Sequence, residues 1–266
     1  MQSLRRVLVG RPRIARWAAF AYWTLRPLTR VFSPSVAVQY ASYVRDLIAY
    51  RLMPGAEKLA LLELRPSLGD RGHYTPVDGN YFVQDAWAAR KVLSARPGLH
   101  VDVGSSAAVV GILAQALPVV SLDIRPVPYG VPGLERVAGD VTRLPISDRS
   151  LGSVSSLCVI EHVGLGRYGD SLDPEGSVKA AGELARVLIP GGSLYVSVPV
   201  GRAGVHFNAH RCFGVEQVLG MFTGLVLMES AFVRGGRIVQ RGAAEASGPA
   251  EPVPVGLFHF TRPQSL

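Results

Sequence analysis

Two aspartates, at 102 and 123, bracket the small run Gly104-Ser105-Ser106-Ala107-Ala108, and together they form the first grouping in this sequence with chemical content. So little side-chain bulk permits a tight turn in which backbone amides come close to a ligand. Asp123 lies 19 residues beyond Gly104. At about that spacing after a strand, a turn and a helix, a carboxylate matches its two oxygens to the two hydroxyl donors of a ribose. A second grouping suits proton chemistry: Glu161 adjoins His162, a long polar excursion runs from Gly164 to Gly176, and His206, Asn208, His210 and Arg211 follow further along. A histidine titrates near neutrality and can take the proton of a hydroxyl, so His210 and His162 are candidate bases, with Glu161 beside the second. Pro66 to Asn80 carries His73, Tyr74 and Asp78, groups able to meet a polar ligand, though solvation of a surface loop explains them more simply.

These residues can act only if a scaffold gathers them. His100 to Val103 is apolar apart from Asp102 and predicts a strand, Val109 to Leu117 predicts a helix that Pro118 stops, and β-branched Val119 to Leu122 predicts a second strand. Asp123 then sits at a carboxyl end, the edge at which open α/β sheets bind ligands. Arg125 to Gly133, RPVPYGVPG, is too short and too broken for a crossover helix, so a loop is expected before a third strand at Leu134 to Ala138. Downstream, the pattern predicts a strand at Ser153 to Ile160, a helix at Glu183 to Leu188, a turn at Pro190-Gly191-Gly192 and a strand at Ser193 to Val198. A helix at Phe213 to Met221 and strands at Leu225 to Val233 and Gly256 to Thr261 complete this part, with Arg234 to Pro254 as a mobile loop or β-excursion. Helices are also expected at Ser35 to Met53 and Tyr81 to Ala95, while Leu59 to Leu64 fits either helix or strand.

The motifs DVGSSAA, SLD, GDVTRLPISD, VIEHV and LIPGG occur in that order between residues 102 and 192. In this the chain resembles class I S-adenosylmethionine-dependent methyltransferases, whose pattern is an acidic glycine-rich turn, an acid closing strand two, G-D-x-x-x-L-P-x-x-D, E-H and L-x-P-G-G. The resemblance covers residues 98 to 200 well and reaches about 262 in outline. It implies a Rossmann-like, doubly wound, mostly parallel α/β sheet with a reversed last strand, which Leu257 to Phe260 would supply. It implies S-adenosylmethionine as cofactor, with Asp102, Gly104 and Ser106 near its amino-acid part, Asp123 on the ribose, and Asp140 with Val141 at the adenine. Ser106 and Ala108 stand where the family has glycine, and a positive φ is costlier for both. Some O-methyltransferases of this fold hold a divalent ion with E-x-x-E-H. Here Cys158 replaces the first carboxylate of Cys158-Val159-Ile160-Glu161-His162, so no metal is expected. The expected activity is methyl transfer to an oxygen on a small-molecule, sugar or lipid-linked acceptor. A non-catalytic binding or scaffold relative is the first alternative and a nucleic-acid methyltransferase the second, while the L-P and P-G-G blocks argue against a nicotinamide enzyme.

Composition sets the outer bounds. The chain has 266 residues, 48% of them apolar, enough for a substantial core. Two cysteines make neither a disulfide framework nor a metal pair, so a reducing cytoplasm is the default expectation. No apolar run reaches the roughly 18 residues that span a membrane, and no small-residue cleavage site follows the basic start. The net charge of +8 is unevenly placed: residues 1 to 51 hold nine arginines and one acid, Asp46, whereas the rest carries 19 basic and 19 acidic residues. Residues 1 to 74 therefore read as a basic helical extension before a domain at 75 to 266. In residues 1 to 33 the arginines interleave with Trp17, Phe20, Tyr22 and Trp23. A helix packed on the domain is the first expectation there, peripheral contact with an anionic membrane the second, and nucleic acid the least favoured.

Overall fold

The computed structural model describes residues 34–70, 74–245 and 253–264. The readings of residues 1–33 and of His73 lie outside them. The chain divides into two units, Met1–Val77 and Asp78–Leu266. In the first, helix α1 spans Pro34–Arg51 and a single 3-10 turn spans Leu61–Glu63. Among the described residues, no helix is long and apolar enough to cross a membrane.

The second unit opens with α2 (Gly79–Ala95). The Asp78 carboxylate accepts from the amides of Asn80 and Tyr81 at 2.9 and 3.1 Å, satisfying donors that a helix start leaves unpaired. Asp78, read from sequence as a polar group in a loop, is thus a helix cap. There follow β1 (His100–Val103), α3 (Ala107–Leu113), β2 (Val119–Asp123), β3 (Leu134–Ala138), β4 (Leu151–Leu157), α4 (Gly176–Arg186) and β5 (Leu188–Pro199). A small ribbon of β6 (Gly204–His206) and β7 (His210–Cys212) precedes α5 (Val215–Met221), β8 (Val226–Arg234), β9 (Arg237–Val239), α6 (Arg241–Glu245) and β10 (Val255–Thr261).

Eight strands form one sheet in the order β3-β2-β1-β4-β5-β10-β8-β9. The first five pair in parallel, and β10 enters antiparallel between β5 and β8, so the last strand is reversed, as is β9 at the far edge. All four residues of β1 are buried, as a central parallel strand with both faces covered must be. On one face α4 and α5 pack Leu184 and Val218 against Val154, Val196 and Phe258. On the other α2 and α3 pack Trp87 and Val110 against Leu157, Tyr195 and Leu257.

No helix joins β2 to β3, as the prolines of 125–133 require. The loop closes against α3 at Gly133, whose φ is +80° and where a Cβ would stand 2.2 Å from the Ala114 carbonyl oxygen. Other boundaries differ from the sequence reading for physical reasons. α3 begins at Ala107 because the Ser106 hydroxyl caps it, accepting from the Val109 amide. β4 stops at Leu157, since Cys158 turns left-handed with φ 52°, and the apolar run continues only because Ile160 is buried in the following turn. α4 starts at Gly176, its inner face made of Ser177, Ala180 and Ala181, residues too small to register as a periodic apolar stripe. Pro190-Gly191-Gly192 lies within β5 rather than between elements, at the irregular end of its pairing with β4. Of the segment expected at Arg234 to Pro254, residues 246–252 lie outside the described residues, while β9 pairs with β8 and α6 buries Ala244, so residues 237–245 are part of the fold.

Candidate functional site

Two cavities open at the carboxyl ends of the parallel strands. The first, about 240 Å³, is lined by Gly104 and Ser105 after β1, Asp123 and Arg125 after β2, Asp140 and Val141 after β3, and Cys158, His162, Tyr168 and Asp170 after β4. The second, about 410 Å³, is lined by Asp78 to Tyr81, Cys158, Glu161, His162, Arg167, Tyr168, Pro199, His210 and residues from the β8 and β10 side. Cys158, His162 and Tyr168 line both.

The turn after β1 is built from inside the sheet. Asp102 is fully buried, its Oδ1 accepting from the Ser105 amide at 3.0 Å and its Oδ2 from the Ser155 hydroxyl. His100 lies beside the same network, with its ring nitrogens 2.8 and 3.0 Å from the hydroxyls of Ser153 and Ser155. Burial pushes the Asp102 carboxyl up to about 6 and the His100 imidazole down to about 4. Asp102 therefore shapes the turn from behind and does not line either cavity. Gly104 has φ +75°, and a Cβ there would lie 2.9 Å from Val159. The Ser106 hydroxyl donates to Asp85 at 3.0 Å and caps α3, and Ser105 is the serine of this turn that lines the first cavity. Ser106 has φ −63° and Ala108 is helical, so the residues that replace glycine pay no left-handed cost.

Asp123 and Asp140 stand at the rim of the first cavity, each already turned by local bonds. Asp123 Oδ1 accepts from the Arg125 amide at 2.7 Å, and Asp140 Oδ1 accepts from the amide and hydroxyl of Thr142 at 2.8 Å. A glycine turn with close backbone approach and two carboxylates around one hollow suits a ligand with hydroxyl and amine donors, so the set fits a nucleoside.

The polar excursion from Gly164 to Gly176 is an ordered loop. The Asp170 carboxylate accepts from the amides of Gly164, Gly166 and Tyr168, and these bonds hold its pKa low although burial alone would raise it. Buried Arg211 donates to the carbonyls of Val163, Asp173 and Pro174 and to the Ser177 hydroxyl, so this candidate faces inward as a brace. The loop brings Tyr168 between two cations, with Arg125 4.2 Å and Arg167 5.0 Å from its ring centre.

Glu161 is 1% exposed, and its Oε2 has no hydrogen-bond partner. Burial, with nothing strong enough to offset it, pushes this carboxyl up to about 8. His162 donates through Nδ1 to the Ala209 carbonyl at 2.6 Å, which leaves the lone pair on Nε2, 3.7 Å from Glu161 Oε1. Burial lowers the His162 pKa, so the ring is neutral at pH 7. The β6–β7 ribbon sets His210 with its ring centre 6.5 Å from that of His162 and 5.0 Å from that of His206. Cys158 joins the two cavities as a protonated thiol, raised by burial, that donates to the Gln84 side chain at 3.0 Å. The sequence did not single out Ser105, Tyr81 or Arg125 among the residues that line the cavities, and it marked Arg167 and Tyr168 only as part of the polar excursion from Gly164 to Gly176.

A family model described as "Caenorhabditis protein of unknown function, DUF268" matches residues 147–235, about a third of the chain. No curated protein matches the sequence. Among solved structures, a candidate sarcosine dimethylglycine methyltransferase from Galdieria sulphuraria is similar, with TM-score 0.51 and 15% identity over 70% of this chain and 87% of that one. The N-methyltransferase NodS from Bradyrhizobium japonicum, in complex with S-adenosyl-L-homocysteine, gives 0.50 and 16% over 69% and 87%. The [4+2]-cyclase SpnF gives 0.50 and 17% over 68% and 81%. The fold is therefore that of the class I S-adenosylmethionine-dependent methyltransferases.

Proposed function

We propose that this chain transfers a methyl group from S-adenosylmethionine to an oxygen of a small-molecule, sugar or lipid-linked acceptor held in the second cavity. One observation carries the reading: a cavity with Asp123 and Asp140 and a cavity with Glu161 and His210 meet at a common wall of Cys158, His162 and Tyr168. In the first, Gly104 and Ser105 would receive the amino-acid part of the cofactor, Asp123 the ribose hydroxyls, and Asp140 with Val141 the adenine. When bound, the cofactor supplies an electrophilic methyl carbon on a sulfonium. The chain must align an acceptor oxygen with that carbon, exclude water and take the oxygen's proton. His162 Nε2 would take this proton, its other nitrogen being committed to Ala209, and Glu161 at 3.7 Å would stabilise the resulting imidazolium once it ionises, above about 8. His210 faces the acceptor from the ribbon.

Calorimetric titration of the full chain with S-adenosylmethionine and S-adenosylhomocysteine tests the reading. Binding is expected, and Asp123→Ala should weaken it about tenfold or more, the loss of a charge-assisted pair of hydrogen bonds. Absence of heat at millimolar ligand would instead favour a binding or scaffold role. The cyclase neighbour is a reminder that a fold of this kind is not tied to one chemistry.

A further inference from the structure

Helix α1 turns an apolar stripe outward. Val38, Val44 and Ile48 are 66, 40 and 55% exposed, and Leu52 and Met53, just past its end, are 79 and 58% exposed. With about 100° per residue, Ala37, Val38, Ala41, Val44, Ile48 and Ala49 fall within an arc of about 140°. Gln39 and Asp46 on the other side are half-buried together with Val36, Tyr40, Tyr43 and Leu47, so the helix carries apolar residues on both sides and the stripe is the side left exposed. Exposed Arg45 and Arg51 accompany the stripe, and Arg45 holds Asp46, the one acid among residues 1–51, at 2.9 Å. Nine arginines in that stretch leave a local excess of +8, while the rest of the chain is balanced.

The combination selects among occupants. A nucleic-acid backbone answers the charge but offers Val38 and Ile48 no apolar partner. A second copy answers the stripe but brings two strongly cationic segments together. The boundary between anionic headgroups and acyl chains answers both, because apolar side chains enter it while guanidinium groups stay on the phosphates. We infer that Val38 to Met53 dock on a bilayer that carries anionic lipid, with the stripe in the headgroup–acyl boundary and Arg45 and Arg51 on the headgroups, in a stretch whose charge excess of +8 favours an anionic surface. This docking stands independently of methyl transfer, and it would present the chain to acceptors that lie in a membrane.

Flotation of the full chain with vesicles tests it. The chain should float with phosphatidylcholine vesicles that contain phosphatidylglycerol, much less with phosphatidylcholine alone, and less again when salt rises from about 0.1 to about 0.5 M. Val38→Gln with Ile48→Gln keeps helix-forming residues and should cut partitioning about tenfold or more with the melting temperature unchanged. Leu52→Ser, beyond the helix, tests the stripe without touching α1 and should weaken flotation in the same direction. Three outcomes would overturn the inference. They are a full chain that floats with neither vesicle, variants that float like the parent, or salt-sensitive binding to RNA or self-association by light scattering in place of flotation.

Discussion

At Glu161 the fold sets a proton equilibrium that sequence alone leaves at an ordinary value. Its carboxyl is raised from 4.5 to about 8 by burial, so the folded state binds a proton more tightly than the unfolded state. The linked stability is fully present below pH 4.5 and is lost as pH rises through about 8. Glu161→Gln should therefore flatten the fall in melting temperature across that window. Asp102, raised to about 6, contributes the same sign between about 3.8 and about 6 and remains in the variant. If the Glu161–His162 pair takes the acceptor's proton, methyl transfer should also climb as pH rises through about 8, and the Gln variant should lose that limb. A climb that persists in the variant would place the base elsewhere, with His210 the next group to test. Gly104 makes a separate case. Gly104→Ala adds a Cβ 2.9 Å from Val159 at φ +75°, and should cost about 1–3 kcal/mol in denaturant unfolding. Val159→Ala in the same chain should return only the part due to contact, leaving the backbone part.

The second cavity depends on how the segment after β4 is held. Arg211 on β7 reaches across to the carbonyls of Val163, Asp173 and Pro174, so the ribbon and the loop that carries Arg167 and Tyr168 are one assembly. Arg211→Met keeps much of the volume and removes every donor. It should destabilise by about 3 kcal/mol and speed amide exchange at Gly164 and Gly166 well before β1 or β5 exchanges. Unchanged protection in the loop would mean that the Asp170 carboxylate suffices to order it. β4 itself ends where Cys158 adopts φ 52°, a conformation that a side chain occupies at a cost, and the thiol is thereby aimed at Gln84 on α2.

Across the whole molecule, charge and chemistry are separated along the sequence. The excess of positive charge lies in residues 1–51, and both cavities lie within the unit Asp78–Leu266. Residues 78–266 expressed alone should melt in a single cooperative transition and bind S-adenosylhomocysteine as the full chain does, while losing flotation with anionic vesicles. A fragment that fails to fold would show that the first unit supplies part of the core, and the domain boundary expected near residue 75 would need to move.

The sequence by itself determined the elements whose signals are local. Proline and glycine in 125–133 ruled out a crossover helix, a β-branched run placed β2 within a residue, and Asp123 and Asp140 could be located because one closes β2 and the other stands two residues past β3. Such signals act over a few residues, through φ, ψ and side-chain volume. Tertiary structure decided the rest. Whether Ser105 or Ser106 faces the cavity depends on where α3 is capped, and that depends on Ser106 meeting Asp85 from α2. The juxtaposition of His162 with His210 and the unpartnered oxygen of Glu161 arise from segments distant in sequence packed by burial, and no local pattern encodes which polar atom a finished core leaves without a partner.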